Sequence, residues 1–451
     1  MRESQLMAND AAFFYLARSG RMTDWPMWWV FDSGEAAAPT GEQVTAYFEA
    51  RAAALEPLRR RIHEAPGGLT HPFWGVDDSS IESHVVTHPE GLEWAACQDR
   101  MAKVLTEPLD ARVCAWRLHV FPAVRGIETL TGAGTVVMMH TSHALMAGPA
   151  MTSLGEALFA ADPAPVRIDG QPAAARRPRL WSAALADAVR IPWRTVRFMA
   201  GARALNRWSV PEGEADWSVI SARTRTVLNQ RIGADRAMRT VPLDLASVRS
   251  PGATVTAVGL TAISLALQRY FDKRELPCPD DLSAFVTIAI PDVRVLGVNR
   301  IGADVVDLHP GEPDTAARAR AVDATLRARR GSASSPRELA RLHLIDGLPS
   351  RIYRTKFGTL PPADPPPLAP AHTILTSIRC ESDTALSLLD SRFRFAGMLP
   401  PVYPDIALAH SFVGAGEVFA VSVACDPAVV TDLDVYCEML RNAFHELATL
   451  A

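Results

Sequence analysis

Residues 136–160, VVMMHTSHALMAGPAMTSLGEALFA, constrain the fold more than any other stretch. An apolar, β-forming run feeds a turn carrying His140 and His143, Gly148 and Pro149 break the chain, and a helix-forming segment follows. A strand that passes through a turn into a helix sets the turn residues at the end of a sheet. From there a histidine can face a cleft.

The rest of the chain supplies sheet and helix on both sides of this stretch. Asn9 or Asp10 can cap a short helix, AAFFYLA, and Met27 to Phe31, MWWVF, reads as an aromatic strand. Gly41 to His63 has helical spacing that Pro57 ends or kinks, and Leu92 to Leu105 is a second amphipathic helix. Val113 to Phe121 and Thr135 to His140 form a hairpin that delivers the histidine turn. Residues 161–178, rich in Pro and Ala, look like a connector.

Leu180 to Trp208 is amphipathic, with Leu185, Val189, Trp193 and Val196 on one face and Arg190, Arg194 and Arg197 on the adjoining one; Pro192 is expected to divide it into two helices. Two readings stay open for it. It is a pair of surface helices over the junction of the halves, or a basic foot on an anionic membrane or lipid body. After Asp216 come the apolar helix Thr254 to Tyr270, the strand Phe285 to Ile290, the step Asn299-Arg300 and the helix Asp314 to Arg330. A loop with Pro361 to Pro370, the strand Thr373 to Ile378, a hairpin from Arg392 to Tyr403 and the helix Leu433 to Thr449 close the chain. At 451 residues, two halves are expected, and mixed strands and helices repeated in each favour a pair of α/β (α+β) layers over a doubly wound sheet.

Composition removes several function classes. The net charge of -4 and the lack of a basic reading helix argue against a nucleic-acid partner. Six cysteines without a C-x-x-C pair suggest neither a zinc site nor a disulfide framework, so reduced thiols and a cytoplasmic location are expected. No signal-peptide core and no membrane-spanning apolar run is seen, which leaves peripheral attachment to an inner membrane or lipid bodies open. A phosphate-cradling glycine loop, a zincin helix, a nucleophile elbow and a calcium loop are all missing. What remains is His143, whose imidazole, with an ordinary pKa of about 6.5, can act as general base toward a hydroxyl, although on position alone a lone histidine is usually structural.

Several stretches in order along the chain resemble the bacterial wax ester synthase/diacylglycerol acyltransferase family, a branch of the CoA-dependent acyltransferases that includes chloramphenicol acetyltransferase and condensation domains. They are Asp10-Ala11-Ala12-Phe13 with Pro26-Met27, Pro57 to Ile62, Pro72-Phe73-Trp74 with His84, Pro108 to Trp116, Thr254 to Tyr270, Asn299-Arg300 and Thr373 to Glu381. Ser142 to Gly148 falls on the family's H-H-x-x-x-D-G motif. The resemblance implies two chloramphenicol acetyltransferase-like subdomains, each a mixed sheet flanked by helices, with a central cleft or tunnel. The expected division is 1–165, a connector at 166–215, and 216–451. It further implies acyl-CoA as co-substrate with no permanently bound cofactor and no metal, an alcohol or lipid acceptor, and His143 as the base that deprotonates the acceptor. Thr376 and Ser377 are then candidates for holding the oxyanion or orienting substrate, and Ser142, Ala147, Gly148 and Asn299 occupy motif positions.

The departures from the family pattern carry information too. Ser142 replaces the first motif histidine and Ala147 the aspartate. Thr256-Ala257 stands for Asn-Asp, Cys114-Ala115-Trp116 for Pro-Leu-Trp, and Arg379-Cys380 for Pro-Gly. They set an acyltransferase against a catalytically impaired relative that binds lipid or a partner protein, with a carrier-protein thioester donor as a third reading.

Overall fold

The structure, a computed structural model, describes residues 4–146, 148–161, 172–208, 223–249, 253–290, 297–358, 368–380, 385–401 and 403–449. Most of the connector at 161–178, the boundary near Asp216 and most of the Pro361 to Pro370 loop lie outside these residues, as does Ala147.

The first half contains α1 (Ala8–Arg18), β1 (Trp25–Asp32), α2 (Gly41–Ala52), β2 (Arg60–His63), β3 (Phe73–Val76), β4 (Val85–Thr87), α3 (Trp94–Val104), β5 (Trp116–Val124), β6 (Gly134–Thr141), α4 (Pro149–Phe159) and α5 (Leu180–Asn206). The second contains β7 (Ala237–Asp244), α6 (Val255–Lys273), β8 (Ser283–Ala289), β9 (Ile301–Asp307), α7 (Thr315–Ala333), α8 (Pro336–Asp346), α9 (Ser350–Phe357), β10 (Thr373–Cys380), β11 (Ser387–Leu388), β12 (Ser391–Met398), β13 (Leu408–Ala415), β14 (Val418–Cys425) and α10 (Leu433–Thr449).

Two six-stranded sheets result, ordered β11-β12-β1-β6-β5-β4 and β7-β14-β13-β10-β8-β9. The first takes β11 and β12 from late in the chain: β12 pairs antiparallel with β1, Met27 opposite Met398. A strand that sequence order placed in the second half therefore stitches the two together. β6 is central, paired with β1 and β5, and every residue in it is buried, which is why it reads as a continuous apolar run. Its side chains alternate between two cores. Val137 and Met139 pack with α1, α2 and α4 residues such as Phe14, Phe48 and Leu154. Val136 and Met138 pack with Met101 of α3 and with Met238, Ala420 and Ala424 of the second half. Each such burial contributes about 1.5–3 kcal/mol, so the seam between the halves is itself core.

Three local expectations are corrected. Helix α2 stops at Ala52 under a Thr40–Gln43 capping box, and Pro57 opens a 3-10 turn leading to strand β2 rather than kinking a longer helix. α5 is one helix of 27 residues with Pro192 inside it. Val113 lies in the loop before β5. Among the described residues, no helix is long and apolar enough to cross a membrane. Yet α5 buries only Ala183, Ala184 and Asp187 and turns its large apolar residues outward, Val189 at 83% exposure and Trp181 at 71%.

Candidate active site

β6 ends at Thr141, opposite Trp25, and the chain turns immediately. Ser142 anchors that turn: its N–H donates to the Ala115 carbonyl (2.9 Å), and its own carbonyl accepts from the Leu145 N–H (2.8 Å). Ala144, Leu145 and Met146 point into the core, which fixes the loop from below. Gly148 closes it with φ 52° and ψ -125°, a backbone conformation that costs glycine least, and Pro149 opens α4 with its φ already set for a helix.

His143 is buried, 3% exposed, and its ring lies flat on Phe13 at 3.8 Å between centroids and 5° between planes. Phe13 and Asp10 are three residues apart on α1 and share a helix face, so one helix supplies the stack and an anchor. The anchor runs through Asn299. Its Nδ2 donates both to the His143 carbonyl (2.9 Å) and to Asp10 Oδ1 (2.8 Å). Asp10 also accepts from the backbone N–H groups of Asn299 (3.2 Å) and Val298 (3.3 Å). Gly297 precedes them at φ 76°, and a Cβ there would collide with the Asp10 carboxylate. The clamp therefore joins α1, the motif loop and the start of β9 across the two halves. Asn299 was expected from its motif position; Asn9 or Asp10 was expected to cap α1, but the helix begins at Ala8 behind Met7 with no side-chain cap, and Asp10 serves the clamp instead.

Burial sets the charges. It pulls the His143 imidazole down to about 4, against the opposing pull of its own carbonyl, the Asn299 side chain and Asp24, so the ring is neutral at neutral pH. Nδ1 is buried without a hydrogen bond. Burial likewise raises the Asp10 carboxyl to about 7, partly offset by its Asn299 and Val298 donors.

His140 faces away from this site. On β6, its Nε2 donates to Asp24 Oδ2 at 2.9 Å, and the same oxygen accepts from the Leu109 N–H. Asp24 lines a small, largely apolar cleft with Met238, Leu399 and Arg236. Asn9, which donates to the Asn299 carbonyl (2.6 Å), lines a second cleft with Arg341, Lys356 and Tyr353. Thus the two residues flanking the His143 shell, Asp24 and Asn9, open on separate clefts.

Thr376 and Ser377 lie half-buried on β10 and engage their own half: Thr376 Oγ1 accepts from Thr287 Oγ1 (3.1 Å), and Ser377 Oγ from Thr256 Oγ1 (3.5 Å). Neither hydrogen-bonds to His143. Thr256, on α6 where the family pattern has Asn, in turn accepts from Arg330 (3.3 Å) and so links α6 to β10 and α7.

Comparison with known proteins identifies the family and the fold. The model of the wax ester synthase/diacylglycerol acyltransferase catalytic domain matches residues 6–258, and that of the WS/DGAT C-terminal domain matches residues 298–448. No curated protein matches the chain. Among solved structures, the wax ester synthase/diacylglycerol acyltransferase from Marinobacter aquaeolei VT8 shares 15% identity over 98% of each chain, with a TM-score of 0.66. A trichothecene 15-O-acetyltransferase from Fusarium sporotrichioides shares 12% identity over 98% of this chain and 94% of its own, with a TM-score of 0.56. The starter condensation domain of rhizomide synthetase, in complex with C8-CoA and Leu-SNAC, shares 12% identity over 99% of this chain and 94% of its own, with a TM-score of 0.55. At these identities the likeness shows the fold.

Proposed function

The chain belongs to the wax ester synthase/diacylglycerol acyltransferase family, and on that premise we propose that it moves an acyl group from a CoA thioester to an alcohol, with His143 as general base. The observation that carries the reading is the neutral His143 ring held at the end of β6 by the Phe13 stack and the Asn299–Asp10 clamp. A positioned base is worth roughly 10²- to 10⁴-fold in deprotonating a weakly acidic hydroxyl. In the proposed step Nε2 takes the alcohol proton as the alkoxide oxygen attacks the thioester carbonyl. The tetrahedral oxyanion needs a donor, for which Thr376 and Ser377 are the proposed source. The CoA thiolate then leaves and collects the proton from His143. A CoA donor is supported by the complex of the condensation-domain relative with C8-CoA.

Purified protein with a panel of acyl-CoAs and alcohols, followed by free-thiol release and ester formation, tests the reading. Ester formation by the wild type that vanishes in His143→Ala is expected. Equal activity of the two proteins overturns it.

A second reading, a relative that binds lipid or a partner without catalysis, is favoured by the 3% exposure of His143 together with Ser142 at the first histidine position. It predicts co-purifying lipid or partner and no functional effect of His143→Ala in a folded protein.

We also propose peripheral contact of α5 with an anionic lipid surface. Trp181, Leu185, Val189, Trp193 and Val196 are all at least 63% exposed, and Arg190 and Arg197 are exposed beside them, able to reach headgroups while the apolar face enters the interface. Arg194 is set aside, because it donates to the Gly347 and Leu348 carbonyls. Flotation with anionic liposomes should be lost in an Arg190/Arg197→Glu variant; equal flotation of both would remove the proposal.

A further inference from the structure

A second cluster of reactive groups lies at the same end of the first sheet. Cys114 precedes β5, His84 ends the 3-10 turn Glu82–His84 before β4, and Asp77 and Ser79 follow β3. β4 runs parallel beside β5, and the Ala115 carbonyl holds the Ser142 N–H, so this cluster adjoins the motif loop. Cys114 stands where the family pattern has proline, one of the departures that the His143 chemistry leaves unused.

The hydrogen bonds bear on the proton count of His84. Its Nδ1 lies 3.0 Å from the Trp116 carbonyl, which can only accept, so Nδ1 carries a proton. Its Nε2 lies 2.8 Å from Ser79 Oγ, and the Ser79 hydroxyl gives its one proton to Asp77 Oδ1 at 2.6 Å, so Nε2 is placed to donate to Ser79. With Asp77 beside it, this arrangement favours a second proton on His84. It is 3% exposed, stacked on Trp116 (4.4 Å, 12°), and lies 3.6 Å from Asp77 Oδ2, which has no hydrogen bond of its own. Burial lowers its proton affinity, but Cys114, the Trp116 carbonyl and Asp77 outweigh burial, and the net shift is upward. Cys114 Sγ, half-buried, sits 3.4 Å from His84 Nδ1 and rests with its own proton on the Trp116 carbonyl (2.9 Å).

We propose that Cys114 is a nucleophilic thiol that accepts an acyl group from a thioester, with His84 as its charge partner and Asp77 and Ser79 as positioning residues. A cation against sulfur favours the thiolate, the reactive form, and a third group that orients the imidazole completes the arrangement of an activated nucleophile. In the step, the Cys114 sulfur attacks the thioester carbonyl carbon, a Cys114 thioester forms, and the donor's carbon–sulfur bond breaks. The proton lost by Cys114 ends on the released thiol, and His84 is protonated before and after. One thioester replaces another, so no further reactant is needed. The choice of acyl-CoA as donor rests on the function proposed above; the reactivity of the sulfur does not. Cys278 and Cys380 serve as internal controls: both are half-buried, burial pushes their thiols up to about 11 and about 12, and neither has an imidazole partner among the described residues.

The full chain is incubated with octanoyl-CoA or, separately, octanoyl-N-acetylcysteamine, and adducts are located by peptide mass spectrometry. In parallel, iodoacetamide alkylation of Cys114, Cys278 and Cys380 is timed in one sample. One octanoyl group on Cys114, labile to neutral hydroxylamine, and alkylation of Cys114 about tenfold faster than the two controls are expected. His84→Gln should slow both reactions about tenfold. No acyl group on Cys114 from either donor, or alkylation no faster than at the controls, overturns the proposal, and the second comparison needs no variant to fold. Acylation from the small thioester alone upholds the thiol and counts against the CoA donor. Acylation of Cys114 without ester formation upholds the thiol and counts against the function proposed above.

Discussion

His143 and His84 are equally buried, each 3% exposed, each stacked on an aromatic ring and each set at the same end of the first sheet, yet the proton affinity of one is lowered and that of the other raised. His143 faces Phe13, its own carbonyl and a neutral amide. Among the described residues no carboxylate lies within ion-pair reach of it, Asp24 acts only from a distance, and burial wins. His84 has a carboxylate at 3.6 Å and fixed acceptors at both ring nitrogens, and burial loses. Desolvation is thus a common background for buried imidazoles, and the two or three atoms around the ring decide the proton. A neutral ring suits a base that must take a proton; a charged one suits a partner that must hold an anion.

The comparison breaks most visibly at His143. His143→Ala should reduce ester formation by roughly 10²- to 10⁴-fold while leaving octanoyl transfer to Cys114 intact, because the two rings have separate partners. Parallel loss of both activities in a folded variant would mean that one site serves both. Steady-state ester formation beside intact-mass analysis distinguishes the cases.

Next in size is the clamp. Asp10→Ala leaves the N–H groups of Val298 and Asn299 and the Asn299 amide without their acceptor in the core. Each orphaned donor costs about 1–3 kcal/mol, while removal of a carboxyl that resists burial returns part of that, so a net loss on the order of 3 kcal/mol is expected. Urea unfolding would read it. A change under about 1 kcal/mol would mean that the loop around His143 is held by packing alone.

A smaller change should make His84 resemble His143. Asp77→Asn keeps the shape and an oxygen that can accept from Ser79 but removes the negative charge, so His84 loses the charge partner that favours its second proton. Iodoacetamide alkylation of Cys114 is expected to slow by about threefold to tenfold. An unchanged rate would place the activation of the sulfur elsewhere.

These contrasts also mark how far the sequence could be read. β6, α4, α6 and α10 were legible because their apolar periods match their environments, and His143 because a histidine at a strand-to-helix turn is a local pattern. The pairing of β12 with β1 was not legible: Ser391–Met398 alternates like any strand, and nothing local says which sheet edge it joins. Asp10 and Phe13 showed themselves only as a helix start and part of a resembling stretch, since the role of Asp10 depends on Asn299 some 290 residues away and that of Phe13 on His143. The partnership of Cys114 with His84, across a gap of 30 residues, needed the parallel β4–β5 pairing to bring them together.

The smallest expected effect is the sharpest test of the His143 side. With the imidazole held down to about 4, nearly all of it remains in the base form at pH 5.5, whereas an ordinary imidazole of about 6.5 would be about nine-tenths protonated there. Ester formation should therefore change by less than about twofold between pH 7.5 and 5.5; a tenfold fall would return His143 to an ordinary, solvated histidine. Asp10, raised to about 7, titrates within the same window, but its signature is in stability. Because its folded-state value lies above the unfolded one, the folded chain binds that proton first. Its stabilising contribution is complete below the ordinary carboxylate range and is lost as pH rises through about 7. Acidification from pH 7.5 to 5.5 should thus firm the clamp in urea titrations while leaving turnover level. If turnover and stability instead moved together, the protonation of Asp10 would be governing the His143 loop, and the contrast between the two histidines would rest on the clamp rather than on burial.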